Sequence, residues 1–393
     1  MAQAKNFETI VVGLGAMGSA TTYQLARRGV KVLGIDQFAP PHTLGSSHGD
    51  TRITRLACGE GEEYTPFARR SNEIWRALEQ ATGARLLTQN GVLVISGGGQ
   101  RAATHGNADF LQTTVDAARR HQVPHELLAD RDIRRRFPAF NIADGDHGYF
   151  EPSGGFLHPE ACISAQLGEA GTAGATLKTG ETVQGFEDGA SGVTITTTHG
   201  QYRAENLVIS AGAWLPKLLG APLACNFTIR RQVLAWFRVD RNEPFDRYRP
   251  EAFPGFIWQV PRKQTVYGFP WVGGEPSIKV ATEQYDETTT ADTVDRTASE
   301  SEIRELYETY VADFFPGVTG ECVKSAVCMY TCVDDARFVI DRLPQHPRTI
   351  VVSPCSGHGF KHSAAIGEAV AGLVTGKPAA NLPLGRFTMP AAA

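Results

Sequence analysis

The sequence of 393 residues lacks the features that direct a chain to nucleic acids or into a membrane. Its 38 Lys and Arg residues are outnumbered by 42 Asp and Glu residues, which leaves a formal net charge of −4. Because no basic surplus attracts a phosphate backbone, we expect no nucleic-acid partner. No apolar run approaches the roughly 18 residues of a membrane span, and residues 1–7 carry no basic and apolar signal region. We therefore expect a soluble, cytoplasmic protein with no membrane partner.

Cysteine pairs with metal-binding spacing are also missing. The seven cysteines are odd in number and irregularly spaced, and none forms a Cys-x-x-Cys pair. This pattern is typical of a reducing compartment rather than a disulfide framework, and it predicts no metal site. The charged and hydrophobic fractions, 20% and 42%, are those of an ordinary globular protein, which excludes wholesale disorder.

Glycine, by contrast, is abundant, and its first cluster forms a motif. The chain has 41 glycines, about 10% of its residues against about 7% in an average protein. Gly13, Gly15 and Gly18 form G-x-G-x-x-G between a predicted strand at 9–12 and a predicted helix. Asp36 ends the next predicted strand, where its carboxylate can accept hydrogen bonds from ribose hydroxyls. The pattern predicts a dinucleotide site, but the motif alone does not separate NAD from FAD.

The remaining pattern alternates between two kinds of structure. Elements typical of a dinucleotide domain occur at the start, middle and end of the chain, and the stretch 226–279 is rich in aromatics and has the pattern of an antiparallel sheet. A capping box, Ser299 to Glu302, opens a helix predicted to reach residue 315. Further helices are predicted at 64–83, 109–122, 130–137, 160–172 and 363–373, and residues 282–298 are predicted to form a loop. These observations indicate one composite cofactor domain assembled from separated segments.

Five motifs beyond the glycine turn carry a resemblance to a known family. They are GSSHGDTRITR at 45–55, GEG at 59–61, AVCMYT at 326–331, SGHGFK at 356–361, and YGFP at 267–270 with Lys279 downstream. With these motifs in the family's order along the chain, the sequence resembles the family of monomeric sarcosine oxidase and N-methyltryptophan oxidase, which are FAD-dependent amine oxidases of the D-amino-acid-oxidase superfamily. The similarity runs from about residue 8 to residue 376.

The resemblance implies a fold and a reaction. The fold is α/β (α+β), with an FAD-binding Rossmann-type domain of the glutathione-reductase/D-amino-acid-oxidase type and an interleaved catalytic domain on an antiparallel sheet. Segments 1–92, 152–222 and 324–386 would form the first domain, and 93–151 and 223–323 the second. The family oxidises the C–N bond of secondary amino acids: hydride passes to FAD, and O2 reoxidises the flavin to give H2O2. The expected partners are a small amino-acid substrate and O2, and the expected oligomeric state is a monomer.

The resemblance also assigns catalytic and substrate-binding roles. Lys279 matches the lysine that activates O2, and Arg52 and His48 match residues near the flavin. Arg55 and Lys361 match the pair that grips the substrate carboxylate, a task suited to a guanidinium fork and a point charge. On residue type alone, an ion pair of Arg55 with Glu60 or Glu62 is an alternative interpretation. Further substrate contacts are expected from Tyr267, Tyr330, Glu283, Trp258 and Gly357.

The cofactor assignments combine the glycine motif with the resemblance. Cys328 matches the cysteine that carries FAD through a thioether to the 8α-methyl group, whereas residue type alone favours a buried core cysteine. The resemblance therefore implies FAD, covalently held at Cys328. The other expected cofactor contacts are Gly13, Gly15, Ala16, Met17, Gly18, Asp36, Gln37, Ser46, His48, Arg52, Val183, Ala211, Gly212, Trp214, Met329, Gly357, His358, Gly359, Phe360 and Lys361.

Some residues depart from the family pattern and leave the substrate open. Glu283 stands where sarcosine and N-methyltryptophan oxidases carry a His, and Lys279-x-x-x-Glu283 resembles fructosyl amino acid oxidases, where the Glu contacts the sugar. Trp258 replaces a smaller apolar residue, which indicates a pocket other than that for sarcosine. The alternatives to an N-alkyl amino acid oxidase are therefore a fructosyl-amino-acid oxidase, or an amino-acid dehydrogenase that uses another electron acceptor. Lys279 argues against the dehydrogenase, because that lysine serves O2.

Overall fold

The computed structural model describes residues 5–97, 103–261, 263–379 and 381–389. Within them the helices are α1 (Ala16–Arg27), α2 (Thr65–Thr82), α3 (Phe110–Arg120), α4 (Asp130–Arg136), α5 (Pro159–Thr172), α6 (Leu215–Leu219), α7 (Glu300–Tyr310) and α8 (Ser363–Thr375). The strands are β1 (Lys5–Val12), β2 (Val32–Ile35), β3 (Arg52–Thr54), β4 (Leu87–Thr88), β5 (Val92–Ser96), β6 (Glu126–Ala129), β7 (His147–Glu151), β8 (Gly155–Leu157), β9 (Thr176–Lys178), β10 (Val183–Gly189), β11 (Gly192–Thr197), β12 (Gly200–Ile209), β13 (Thr228–Val239), β14 (Gly255–Gln259), β15 (Thr265–Phe269), β16 (Ser277–Thr282), β17 (Thr288–Thr289), β18 (Val318–Cys332), β19 (Val339–Leu343) and β20 (His346–Ser353).

The first sheet is built around parallel strands. β9, β2, β1, β12 and β20 pair in that order with parallel neighbours, and β19 adds an antiparallel edge on β20. The hairpin β10–β11 pairs with the first half of β12. Alternation along β1 buries Val11 against α1, α5 and α8, whereas Ile10 and Val12 pack on the other face with Val193 and Ile195. Apolar residues cover both faces, as a parallel sheet requires.

The second sheet is mostly antiparallel and has two different faces. Its strands run in the order β17, β13, β16, β15, β14, β5, β7 and β6, with β18 also paired to β13. One face carries an aromatic core beneath α4 and α7, where Phe140, Phe256 and Phe315 meet. The other face carries Tyr267 and Cys328, and it turns toward the first sheet's glycine-rich end. A small third sheet has the order β3–β8–β4, and its strands come from the stretches of chain that connect the two large sheets.

Most predicted elements occur close to their expected positions. β2 ends at Ile35, directly before Asp36 as predicted, and β1 begins earlier than the predicted strand at 9–12, at Lys5. The capping box is confirmed, because Ser299 accepts from the Glu302 backbone N–H and the Glu302 side chain accepts from Ser299 N. Helix α7 ends at Tyr310 rather than at residue 315, and the predicted loop at 282–298 contains the short strand β17.

The two large sheets agree with a division into two interleaved units, which we propose as domains. The first sheet draws on residues 5–35, 176–209 and 339–353, and the second draws mainly on 92–151 and 228–332. The predicted boundary at residue 324 lies inside β18, which belongs wholly to the second sheet. No helix within the described residues is both long and apolar enough to cross a membrane. The same residues contain no cluster of His, Cys, Asp and Glu suited to a metal ion.

Candidate functional site

The glycine motif forms a tight turn between β1 and α1. Gly13 has a φ of +86°, and a Cβ there would lie 2.5 Å from the carbonyl oxygen of Ser210. A Cβ on Gly18 would lie 1.7 Å from the Gly13 carbonyl oxygen, so this position also excludes any side chain. The turn leaves the N-terminus of α1 facing a large cavity, where backbone N–H groups and the helix dipole favour a pyrophosphate.

This first cavity, of about 450 Å³, runs along the carboxyl ends of the parallel strands. Asp36 lies on its wall and is held there, because its Oδ2 accepts from Leu14 N at 2.7 Å and its Oδ1 from Phe38 N at 2.8 Å. Burial raises the pKa of Asp36, although these two hydrogen bonds oppose the shift. Fifteen of the expected cofactor contacts line this cavity: Gly13, Gly15, Ala16, Met17, Asp36, Gln37, Ser46, Arg52, Val183, Ala211, Gly212, Trp214, Gly357, Gly359 and Phe360.

A second, smaller cavity of about 70 Å³ adjoins the first. Arg52, Tyr330, Gly357 and Phe360 line both cavities, so the two share a wall. Ten of the expected site residues line the smaller cavity together with Glu60 and His105: Arg52, Arg55, Tyr267, Glu283, Cys328, Tyr330, Gly357, His358, Phe360 and Lys361. The order of the cavities places a compact polar pocket at one end of a long nucleotide-sized groove.

Arg55 and Lys361 converge on the carboxylate of Glu60 inside the smaller cavity. Arg55 Nη2 donates to Glu60 Oε2 at 2.9 Å, and Lys361 Nζ donates to Glu60 Oε1 at 2.8 Å. All three side chains are at least 95% buried. Burial alone would raise the pKa of Glu60, but Arg55 and Lys361 outweigh it and hold that pKa well below its usual range. Two cations therefore bind one carboxylate at this point.

Lys279 lies outside both cavities, and its ammonium group is held mainly by backbone carbonyl groups. Its Nζ donates to the carbonyl oxygens of Gly49 at 2.6 Å and Thr51 at 3.2 Å, and to the Thr51 hydroxyl at 3.2 Å. The ammonium lies over the rings of Trp236 and Phe269, 5.2 and 4.8 Å from their centres. Complete burial lowers the pKa of Lys279 well below its usual value, and the nearby Arg52 adds to the shift. Lys279 lines neither cavity.

Arg52 and His48 lie beside this lysine. Arg52 donates to the carbonyl oxygens of Ser46 at 2.7 Å and Thr51 at 2.8 Å, which fixes its guanidinium at the wall shared by the two cavities. His48 is buried, and burial together with the positive charges of Arg52 and Lys279 lowers its pKa to about 4. His48 is therefore neutral at physiological pH, and it lines neither cavity.

Two cysteines reach the cavities from different segments. Cys328, on β18, is buried and lines the smaller cavity, whereas Cys355 lines the larger one. Burial raises the pKa of Cys328, although Arg52 and Lys279 favour its thiolate. Every cysteine of the chain is free.

Trp258 lies elsewhere than the pocket wall expected from the sequence. Its indole is buried in the aromatic core of the second sheet, with its ring 4.9 Å from that of Phe314. Since successive residues of a strand face opposite sides, Ile257 lines the smaller cavity instead. Met329 likewise packs beside Ile229 and lines neither cavity. Gly18 does not line the larger cavity; its lack of a side chain allows the close approach of α1 to the turn at Gly13.

His105 is a residue of the smaller cavity that the sequence did not reveal. His105 Nε2 lies 2.9 Å from Glu283 Oε1 and 3.9 Å from Glu60 Oε1, and its Nδ1 lies 3.0 Å from Tyr285 Oη. His105 is buried and has a φ of +48°, which is unusual for a residue other than glycine. It lies in a turn before α3 with no motif around it, so no local signal marked it.

The turn at Gly13, the parallel strands and the adjoining polar pocket define a dinucleotide-dependent oxidoreductase. The residues present fit FAD: the glycines clear space for a pyrophosphate, and the long groove ends at the buried cations of the smaller cavity. The sequence matches the family of FAD dependent oxidoreductases over residues 8–373, and the chain belongs to this family. FAD is accordingly its cofactor.

Individual relatives narrow the similarity further. The chain is 38% identical to a protein named monomeric sarcosine oxidase from Bacillus sp. (strain B-0618), over 98% of this chain and 97% of that protein. It is 32% identical to N-methyl-L-tryptophan oxidase from Yersinia pestis (strain Pestoides F), over 95% and 96% of the two chains. The amino acid oxidase NikD shares the fold with a TM-score of 0.83, at 24% identity, over 99% of both chains. The expected family and fold class are therefore confirmed.

Proposed function

We propose that the chain is an FAD-dependent oxidase of secondary, N-alkyl α-amino acids that transfers electrons from the C–N bond to O2. The observation that carries the proposal is the convergence of Arg55 and Lys361 on a single carboxylate inside the smaller cavity. The same pair can hold a substrate carboxylate, because a guanidinium fork and an ammonium fix both its oxygens. The relatives named sarcosine oxidase and N-methyl-L-tryptophan oxidase support an N-methyl amino acid as substrate.

The pocket residues would orient the substrate toward the cofactor. With its carboxylate on Arg55 and Lys361, the substrate's Cα–N bond would lie toward Cys328 and the wall shared with the larger cavity. Tyr267 and Tyr330 close that space, with their hydroxyl oxygens 3.4 Å apart, and exclude bulk water. FAD, when bound, supplies the two-electron oxidation. Lys279 and Arg52 place positive charge beside the shared wall, which favours reduction of O2 there.

Cys328 is the residue that we propose for covalent attachment of FAD. It lines the smaller cavity next to the shared wall, while Arg52 and Lys279 supply the positive charge that favours a thiolate. We further propose a monomer in a reducing compartment, in keeping with the name of the relatives and with seven free cysteines. Sedimentation of the loaded enzyme tests the oligomeric state.

A peroxide-coupled substrate screen tests the function. The panel contains sarcosine, N-methyl amino acids, cyclic imino acids and fructosyl amino acids, and its matched controls are N-methyl amines of similar size without a carboxylate. We expect H2O2 from secondary amino acids and none from the controls, because the controls leave Arg55 and Lys361 without a partner. Equal turnover of amines with and without the carboxylate would contradict the proposal. Turnover with an electron-accepting dye but not with O2 would favour the dehydrogenase.

Fructosyl amino acids are the second candidate because of Glu283. Its Oε2 has no hydrogen-bond partner among the described residues, although the side chain is buried at the cavity. A sugar hydroxyl could donate to this oxygen. Preference for the fructosyl substrates in the same screen, lost in Glu283→Ala but not in the surface variant Glu62→Ala, supports this candidate. Preference for N-methyl amino acids excludes it.

A further inference from the structure

The ammonium of Lys279 depends on one loop, residues 45–51, for its hydrogen bonds. Its Nζ donates to the carbonyl oxygens of Gly49 and Thr51 and to the Thr51 hydroxyl, at 2.6, 3.2 and 3.2 Å. An ammonium group has three N–H donors, so three contacts can occupy all of them. Sheet pairing supports the chain only from Arg52 onward, where β3 meets β8. The position of the Lys279 charge therefore depends on a segment that lies outside the sheets.

The loop has a conformation that its own residues do not favour. Gly49 has a φ of +93°, and Asp50, which follows it, has a φ of +69°. Left-handed backbone is unfavourable for a residue other than glycine, even though Asp tolerates it better than most. Contacts from outside the loop must therefore stabilise this conformation.

Glu160 provides such a contact from the first turn of α5. Its Oε1 accepts from the backbone N–H groups of Gly49 at 2.7 Å and of Asp50 at 3.2 Å. Hydrogen bonds to an ionised acceptor are stronger than those between neutral groups. The first turn of a helix also favours the ionised form of a carboxylate. One oxygen atom thus binds both residues of the loop that have a positive φ.

A second contact to this part of the loop is weaker. Lys324 Nζ lies 2.6 Å from one carboxylate oxygen of Asp50 and 2.8 Å from the other. The side chains of Asp50 and Lys324 are 35% and 48% exposed, and ion pairs at such positions contribute little to stability. This pair also holds a side chain and not the backbone that faces Lys279. Fixation of the backbone at Gly49 and Asp50 therefore falls mainly on Glu160.

We propose that Glu160 is a positioning residue for the reduction of O2, because it fixes the loop whose carbonyl groups hold the ammonium of Lys279. The proposal rests on the proposed role of Lys279 in that step. Glu160 lines neither cavity, so it acts through the loop and not by contact with substrate or cofactor. Displacement of the loop would move the charge of Lys279, and a misplacement of about 1 Å can slow a step by roughly 10²-fold.

The charge of Glu160 is the smaller part of its effect on Lys279. Burial, chiefly, and Arg52 lower the pKa of Lys279. Three groups oppose this shift of the pKa, in decreasing order Cys328, Asp50 and Glu160. A glutamine at this position would lose the charge, but its carbonyl oxygen could still accept from both N–H groups of the loop. The variant Glu160→Gln therefore separates the hydrogen bonds from the charge.

The test compares the two half-reactions of FAD-loaded variants by stopped-flow measurements. In Glu160→Ala we expect reoxidation of reduced flavin by O2 to slow roughly 10- to 100-fold, while anaerobic reduction by a secondary amino acid stays within about twofold of the wild type. Glu160→Gln should restore most of the reoxidation rate, because it keeps the acceptor. The matched control is Glu169→Ala, on the last turn of the same helix and about 13 Å away along its axis, which should match the wild type in both steps.

The outcomes separate a positioning role from a general loosening of the fold. Reoxidation at the wild-type rate in Glu160→Ala, or equal slowing of both half-reactions, overturns the proposal. Reoxidation as slow in Glu160→Gln as in Glu160→Ala also overturns it, because the charge and not the hydrogen bonds would then matter. Glu160→Asp, whose carboxylate ends one methylene short of the loop, replaces Glu160→Ala if that variant does not fold. Wild-type reoxidation in Lys279→Met refutes the role of Lys279 instead, so the two failures are distinct.

Discussion

Replacing Glu60 by Gln removes the carboxylate that Arg55 and Lys361 share in the absence of a ligand. A glutamine oxygen can accept from one of the two cations, but its NH2 group would then face the other. Removing one partner from a buried ion pair costs about 3–5 kcal/mol, because the remaining charge stays buried without compensation. Since the side chain of Glu60 is 3% exposed and contacts two cations, we expect the free energy of unfolding to fall by about that amount.

This loss converts into a measurable melting shift. The entropy of unfolding is about 2 cal/mol/K per residue near the melting temperature, which over a chain of 393 residues gives a fall in Tm of about 4–6 °C. Acetate should restore much of it, because its carboxylate replaces that of Glu60 on the two cations. Differential scanning calorimetry of the FAD-loaded protein with and without acetate measures both effects. Glu62→Gln is the matched control, since Glu62 pairs with Arg120 at the surface, where such pairs contribute about 0–1 kcal/mol.

The same variant should bind carboxylates more tightly. In the wild type a ligand carboxylate meets the negative charge of Glu60 on the cations it needs. Relief of only about 1.4 kcal/mol of this repulsion already lowers Kd tenfold. Titration of flavin absorbance with acetate gives Kd for wild type, Glu60→Gln and Glu62→Gln. An unchanged Tm together with an unchanged acetate Kd would show that Glu60 does not compete for Arg55 and Lys361, and would refute the reasoning.

Three further predictions concern the cofactor side of the site. Lys279→Met should slow reoxidation of reduced flavin by orders of magnitude in stopped-flow measurements and affect anaerobic reduction much less. The control is Lys324→Met, which removes the other ammonium over the Trp236 ring and should leave both steps near wild type. Equal slowing of both steps by Lys279→Met would argue against its role. After acid precipitation the yellow colour should stay with the protein in the wild type and in Cys355→Ser, but it should pass to the supernatant in Cys328→Ser. Colour released from the wild type would refute the covalent link. Gly18→Ala should weaken FAD binding and lower Tm, because its Cβ would lie 1.7 Å from the Gly13 carbonyl oxygen. The control Gly168→Ala, where a Cβ on α5 meets no other atom, should leave Tm unchanged or raise it. Normal flavin content in Gly18→Ala would contradict the proposed turn.

The features that the sequence predicts well are those with local causes. The glycine turn follows from the steric needs of a strand, a turn and a helix within a few residues, and the structure has it at Gly13 and Gly18. The capping box at Ser299 is likewise a matter of four neighbouring residues. Such signals depend on backbone conformation, which nearby residues decide.

The features that escaped prediction depend on strand facing and on distant segments. Trp258 and Ile257 differ by one position, and only the pairing of β14 with β5 and β15 decides which of them faces the cavity. His105 meets Glu283 across a separation in sequence of more than 170 residues, and no pattern around either residue indicates that contact. The resemblance supplied the cations of the pocket, Arg55 and Lys361, but not how Glu60 balances their charge.

That balance explains why two cations can be buried together in this pocket at all. Arg55 and Lys361, both at most 5% exposed, would be unstable side by side in a cavity without an anion. Glu60 supplies the anion from the chain itself, which compensates the two cations and would compete with a ligand carboxylate for them. Glu283 does not compensate fixed charge in this way, because its partner is the imidazole of His105 rather than two permanent cations. The two buried carboxylates of one cavity thereby differ in their partners: Glu60 compensates two fixed cations, and Glu283 is paired with a single imidazole.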